Sequence, residues 1–160
     1  IFSVAREKIR ITGFEATVNA AVTDEIALGG NLSLPNGRVD TDDDGTLDAD
    51  LDGNNIGTNR LNLYATYQNG PWRARLQSAT QFSRDFSDAV GEVTRDFDGY
   101  TVVDLVVSHS FDIGTLSIAS QNLLDKTYVT YFSQVTPFQS GASFFTGRGR
   151  TFTLRWIRDY

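Results

Sequence analysis

The sequence predicts an all-β chain, a segment of an antiparallel transmembrane β-barrel with about seven strands. Three observations predict it. Apolar and polar residues alternate with a period of two along most of the chain, short turns alternate with long polar loops, and no run of ~18 apolar residues offers a membrane helix. A two-residue period marks strands, because successive side chains point to opposite faces of a sheet. The sorting of turn lengths argues for a barrel, whose strands cross a bilayer between short turns on one side and long loops on the other. The turns of a soluble sandwich are not usually sorted this way.

Composition narrows the classes further. The 160 residues are long enough for one domain, and 40% of them are apolar, with 11 Phe, 6 Tyr and 2 Trp. There is no cysteine, so a disulfide framework, a thiolate nucleophile and a soft metal site are all excluded. A net charge of −6, with no basic patch carrying interleaved aromatics, argues against a nucleic-acid partner. Seven of the 20 acidic residues fall in one stretch, "DTDDDGTLDADLD", and the rest of the chain is close to neutral. The opening "IFSVAREKIRITG" lacks both Met and the three regions of a signal peptide. It is read as an internal start, of a fragment or of the resolved part of something longer.

Taken in order, strands are expected at about 5–22, 25–34, 58–68, 71–84, 98–111, 114–133 and 147–160. The first pair, "GFEATVNAAV" and "EIALGGNLSL", meets at Thr23-Asp24. In the third, Leu61, Leu63, Ala65 and Tyr67 share a face. In the fourth, Trp72, Ala74, Leu76, Ser78, Thr80 and Phe82 lie opposite Arg73, Arg75, Gln77, Ala79 and Gln81. "QNGP" joins these two, and Asn-Gly is a strong hairpin signal. "YTVVDLVVSHSF" and "TLSIASQNLL" meet at residues 112–114. The last strand alternates through Phe152, Leu154 and Trp156, and the sequence stops at Tyr160, an amphipathic aromatic suited to a membrane interface. Residues 35–58, 84–98 and 134–148 are expected to be long polar loops, and no stretch gives a helical stripe of useful length.

Several of these stretches together resemble the C-terminal end of a TonB-dependent outer-membrane receptor: "KIRITGFEATVNAAVTDEIALGGNLSL", "YTVVDLVVSHSF", "LSIASQNLLDKTYVTYF" and "GRGRTFTLRW". The matching positions are Gly13-Phe14-Glu15, then Asp98, Gly99, Tyr100, Thr101 and Asp104, then Asn122, Leu123, Asp125, Lys126 and Tyr128. Glu15 and Asp104 are carried over as structural positions. The resemblance implies that residues 1–160 are the last third of a barrel of roughly 22 strands, with the plug and the earlier strands absent. It also implies that Phe152, Leu154, Trp156 and Tyr160 form the signal read by the outer-membrane assembly machinery. Arg158 departs from that signal, standing where an aromatic or apolar residue is more usual. Seven strands cannot close alone, because open edges in lipid leave backbone groups unsatisfied. An N-terminal part or another chain is therefore expected to complete the sheet.

The function implied by the resemblance is active transport, without catalysis, in the outer membrane of a Gram-negative cell. A scarce ligand such as an iron–siderophore complex is captured by loops and plug, and the plug rearranges after coupling to the TonB complex. This chain would supply wall and loops in contact with the lipid bilayer. A passive porin or adhesin barrel, and a secreted calcium-binding β-sandwich, are the alternatives.

The sharpest chemical motif is Asp40-Thr41-Asp42-Asp43-Asp44-Gly45-Thr46-Leu47-Asp48. Carboxylates at loop positions 1, 3, 5 and 9 with Gly at 6 are what a Ca²⁺ loop requires, since hard oxygen donors must converge on one point. Asp40, Asp42, Asp44 and Asp48 are the candidate side-chain ligands, and Thr46 the candidate carbonyl. Position 12 is Leu51 where a bidentate carboxylate belongs, flanked by Asp50 and Asp52. The alternative is a hydrated acidic loop without metal. Arg73, Arg75 and Gln77 are candidate lumen-facing residues, able to neutralise plug carboxylates or attract an anionic metal chelate, or simply polar lining. The aromatics of "TYVTYFSQVTPFQSGASFF" suit a girdle and loop packing, or a substrate mouth. His109 has no partner near it in sequence and reads as an interfacial residue. No nucleophile elbow, phosphate loop or histidine cluster is present.

Overall fold

The computed structural model describes residues 7–136 and 145–158. In chain order its elements are β1 (Ile9–Ala21), β2 (Ile26–Val39), β3 (Ala49–Asp50), β4 (Arg60–Asn69), β5 (Trp72–Gln81), β6 (Arg84–Ser87), β7 (Val93–Phe97), β8 (Tyr100–Phe111), β9 (Gly114–Gln121), α1 (Tyr131–Val135) and β10 (Thr151–Ile157). The main sheet runs β1-β2-β4-β5-β8-β9-β10, antiparallel at each step, with β3 paired to the far end of β2. β6 and β7 form a separate two-stranded hairpin.

Three short turns set the register. At the first, the Thr23 hydroxyl oxygen accepts the backbone N–H groups of Glu25 (3.1 Å) and Ile26 (3.0 Å), and Val22 N–H donates to the Ile26 carbonyl at 2.8 Å. In the second, Gly70 takes a positive φ of 53° and Pro71 follows, between the paired residues Asn69 and Trp72. Gly at the first of two central positions suits the twist of a two-residue hairpin. The third places Asp112 and Ile113 between the paired Phe111 and Gly114.

That register lines up the apolar rows of successive strands. Ala65 of β4 opposes Leu76 of β5, Leu76 opposes Leu105 of β8, Val107 opposes Ile118 of β9, and Ile118 opposes Leu154 of β10. The resulting face lies open: Val18 is 67% exposed, Trp72 50%, Ile118 53% and Leu154 70%. An apolar surface that crosses a whole sheet is far larger than water-soluble monomers leave uncovered. A sandwich would cover it with a second sheet, and among the described residues no such layer exists. The opposite face carries Glu15, Asn19, Asn31, Asn62, Arg73, Arg75, Gln77, Ser108 and Ser117.

Some expected boundaries move. β2 continues to Val39 rather than stopping at 34, because β1 pairs with it throughout. Pro35 is tolerated there. By the alternation that turns the Gly37 and Val39 carbonyls toward the β3 side, its missing N–H falls on that side, between the last pair with β4 (Ser33–Arg60) and the first with β3 (Arg38–Asp50). β9 stops at Gln121 rather than reaching 133, because Asn122 turns the chain into the left-handed region at φ 49°. The expected loop 84–98 contains the β6–β7 hairpin, and loop 35–58 contains β3. Tyr160 and residues 137–144 of the aromatic stretch lie outside the described residues.

The buried apolar residues sit at the long-loop end of the molecule, not along the length of the sheet. Val39, Ala49, Leu51, Ile56, Phe86, Phe97 and Val135 form one cluster, against which Tyr100 and Tyr131 pack. By strand parity, Val39 and Tyr100 continue the polar face of β2 and β8, so the long loops fold over that face. Phe97 is 1% exposed, and truncating a buried Phe costs about 3–5 kcal/mol. In a Phe97→Ala variant, hydrogen exchange should show lost protection in residues 49–56 and 84–97, with the β4–β5 ladder unchanged.

Candidate functional site

The polar face is organised by side chains that reach across strands. Tyr64 of β4 lies opposite Gly29 of β2, and a Cβ at Gly29 would run into the Tyr64 ring and Asn19. The glycine lets the ring lie across β2, so that the Tyr64 hydroxyl donates to the Asn19 side-chain amide oxygen, Oδ1, on β1. On its other side the Arg75 guanidinium stacks 4.0 Å from the Tyr64 ring centre, and Arg75 Nε donates to Gln77 Oε1 at 3.2 Å. Arg75 and Gln77 are thus brought together in a polar row running from β1 to β5. Arg73 stands two residues nearer the short-turn end, opposite Ser108. Both arginines line a shallow depression with Thr66, Gln68 and Ser108. The ion pairs Arg38–Asp50 and Arg150–Asp125 involve neither, which leaves their charge available to an anion.

Over the long-loop end, polar contacts lock the loops onto one another. The Tyr131 hydroxyl lies 2.6 Å from the Ile56 carbonyl and 2.8 Å from that of Gly53. Burial pushes its ionisation above the usual phenol range, which keeps it a neutral donor. Arg84 donates to the Gly57 carbonyl (3.1 Å) and the Pro35 carbonyl (3.3 Å) while stacking over Phe86. Ser87 N–H donates to Asp50 Oδ2 at 2.9 Å, and Asp98 N–H to Gln134 Oε1 at 2.9 Å. Sequence reasoning missed this assembly. The signal for it was Phe86 and Phe97, isolated aromatics in otherwise polar loops.

The motifs that carry the family resemblance turn out to be mechanical. Asp104 accepts the Asn122 N–H at 2.9 Å. Asn122, 2% exposed, accepts the Lys126 N–H (2.8 Å) and donates to the carbonyls of Lys126 (2.9 Å) and Arg148 (3.1 Å). Asp125 accepts the Arg150 N–H at 2.9 Å. The end of β9 is thereby knotted to β8 and to the chain entering β10. Gly99 is required by a close approach, since a Cβ there would lie 2.5 Å from the Gln81 carbonyl oxygen and the Ser83 nitrogen. Glu15 accepts from the Ser33 hydroxyl at 3.4 Å across β1 and β2. His109 packs on the apolar face against Trp72 (4.4 Å between ring centres) and Phe111 (4.3 Å), a structural aromatic cluster. Phe152, Leu154 and Trp156 are on that same exposed apolar face.

The acidic loop joins β2 to β3. The structure brings Asp40, Asp42 and Asp44 together, with a carboxylate oxygen of each within 4.8 Å of the others. Asp48 is held elsewhere: its two oxygens accept the Thr41 N–H (3.1 Å) and hydroxyl (2.8 Å). The Thr41 hydroxyl bond holds the Asp48 carboxyl below the usual carboxylate range. Asp50 pairs with Arg38 at 3.1 Å, and Asp52 accepts from Asn54 N–H and the Asn55 amide. Neither is therefore free to stand in for Leu51 as a closing ligand. Thr46 N–H donates to Asp44 Oδ1 at 2.6 Å.

Losing a buried hydrogen-bonding partner costs about 1–3 kcal/mol. Asn122→Ala should therefore lower the urea midpoint of the folded protein in detergent, whereas Asn62→Ala, half-buried on the polar face with its side chain bonded to Asn31, should lower it less.

Residues 2–123 match the family described as TonB dependent receptor-like, beta-barrel. Ferric aerobactin receptors of Escherichia coli and Klebsiella pneumoniae are each 33% identical to the chain over 162 residues, covering 96% of it. The chain spans 21% of the length of these curated relatives. Among solved structures, the copper transporter OprC matches with a TM-score of 0.70 and 23% identity, over 90% of this chain and 23% of its own. The ferric-catecholate import receptor Fiu from K12 E. coli matches with a TM-score of 0.66 and 23% identity, over 92% and 20%. At that identity both establish the fold alone. The sheet is a segment of barrel wall, and the expectation that the chain is not an enzyme agrees with a family of receptors. The chain belongs to the TonB-dependent receptor family and forms part of its β-barrel.

Proposed function

We propose that this chain is the C-terminal part of the barrel of a Gram-negative outer-membrane receptor that imports an iron–siderophore complex with TonB-coupled energy. The observation that carries this reading is the two-faced sheet. Its exposed apolar face suits lipid, while its polar face bears Arg73 and Arg75 beneath inward-folded loops. Relatives named for ferric aerobactin and a structural neighbour named for ferric catecholate import support the choice of an iron chelate. Many such chelates are anions, and a lumen wall whose guanidinium groups are in neither of the ion pairs Arg38–Asp50 and Arg150–Asp125 would raise their local concentration. The plug and the segment that meets TonB would lie outside these 160 residues. The β1 and β10 edges, each paired on one side, would be completed by the rest of the barrel. Phe152, Leu154 and Trp156, with Tyr160, would present the strand recognised by the assembly machinery.

Cells carrying the full-length receptor as their sole siderophore receptor should accumulate radioactive iron from a ferric siderophore, and should stop when TonB is deleted. Uptake that survives that deletion would favour the passive porin and overturn the reading. The double variant Arg73→Ala/Arg75→Ala should slow uptake of an anionic ferric chelate by about tenfold at low ionic strength and by less at physiological salt. Its level in the outer membrane should not change.

A further inference from the structure

The acidic loop supports a conclusion that does not depend on what the receptor transports. Residues 40–48 are a closed hairpin loop: Asp40 N–H donates to the Lys8 carbonyl at 3.0 Å, Asp48 N–H donates to the Val39 carbonyl at 3.1 Å, and Val39 pairs with Ala49. The Thr41–Asp48 clasp draws the two arms together from the side. Inside it the chain coils tightly, with Asp43 at φ 61° and Gly45 at φ 92°. Each aspartate of the series uses one oxygen to hold that coil. Asp40 Oδ2 accepts the Gly45 N–H (2.7 Å), Asp42 Oδ1 the Asp44 N–H (3.2 Å) and Asp44 Oδ1 the Thr46 N–H (2.6 Å). The backbone therefore fixes the three carboxylates in place before any ligand arrives.

The second observation concerns Asp40 alone. The residue is 2% exposed, and its other oxygen, Oδ1, is buried and accepts no hydrogen bond among the described residues. A buried carboxylate oxygen without a partner is costly, and here it is on the one buried carboxylate of the three-aspartate convergence. Lys8 is the neighbouring cation, but its ammonium donates to the Gly45 carbonyl at 2.7 Å. The Arg38–Asp50 and Arg150–Asp125 ion pairs do not involve the cluster. A cation held by one oxygen from each of Asp40, Asp42 and Asp44 would remove their mutual repulsion, and at Asp40 the oxygen with a vacant acceptor site is Oδ1.

We propose that Asp40, Asp42 and Asp44 bind Ca²⁺, with the Thr46 carbonyl and water completing the shell. All-oxygen donors select a hard divalent ion. Ligands at about 2.4 Å from Ca²⁺ lie at most about 4.8 Å apart, which is the span within which these oxygens already fall. The smaller, near-octahedral Mg²⁺ fits an irregular set of loop donors less well. Asp48 is a brace, not a ligand, and no bidentate carboxylate closes the site. That places it in the weak class of extracellular calcium modules, with Kd about 10⁻⁴–10⁻³ M. Bound ion would stiffen the tip of the hairpin whose base, Val39, Ala49 and Leu51, belongs to the buried loop core.

The test is calorimetric titration of CaCl₂ into the chelator-stripped, full-length receptor in detergent, beside the variant Asp42→Asn/Asp44→Asn. Both residues are exposed, and limited proteolysis outside the loop checks that the variant folds. The parent should bind one more equivalent of Ca²⁺ than the variant, or bind it at least tenfold more tightly. Calcium at 5 mM, but not magnesium at 5 mM, should slow cleavage within residues 40–48 of the parent only. Identical titrations of parent and folded variant, or cleavage of the parent loop unchanged by calcium, would overturn the proposal.

Discussion

Because side chains alternate across a strand, the register imposed by three short turns assigns every residue of seven strands to one of two faces at once. Thr23, Gly70 and the Asp112-Ile113 pair fix the pairing within three hairpins, and the ladders between hairpins extend it, so that Leu76 meets Ala65 on one side and Leu105 on the other. A slip of one residue at any of these turns would carry a whole strand's apolar row to the polar face. The apolar face, the arginine-bearing wall and the aromatic cluster of Trp72, His109 and Phe111 all follow from the same pairing. So does the position of Gly29, which the register puts under the Tyr64 ring.

The molecule reverses the usual arrangement of a water-soluble domain. Its sheet leaves Phe14, Val18, Leu63 and Leu154 exposed, while Phe86, Phe97 and Val135 are buried in the loops. A sheet face in lipid needs no protein cover, because hydrocarbon is as apolar as the side chains themselves. Long loops in water have no such surroundings and must bury their own apolar groups. Here they do so against one another, over the end of the polar face, with Tyr131, Arg84 and Gln134 satisfying backbone groups that would otherwise be lost. Loops that share a core move as a unit.

How much was legible varies from residue to residue. The centres of the strands, the three short turns and the placing of Arg73, Arg75 and Gln77 opposite the Trp72 row follow from local alternation, and the structure has them where the sequence put them, while several strand ends differ. The end of β9 was misplaced because the left-handed turn at Asn122 is held by Asp104, 18 residues away, and by the Arg148 carbonyl, 26 residues away. The aspartate spacing was legible in the sequence, yet which of the carboxylates converge was not. Asp48 sits at a ligand position in the sequence and is claimed by Thr41 in space. Asp50 and Asp52, equally plausible closers by spacing, are taken by Arg38 and by Asn54 and Asn55.

What the sequence determined by itself is therefore periodic and local: strands, short turns, two opposed faces, and a coil of aspartates around Gly45. These depend on φ/ψ preference and on neighbours within a few residues. Only the tertiary structure decided that the polar loops share a buried core, that the family's Asn122 and Asp104 positions act as a knot, and that three of the four spaced aspartates converge. Each of those outcomes rests on partners brought from distant strands by the pairing of the sheet, and linear spacing carries no record of which distant group will claim a given hydrogen bond.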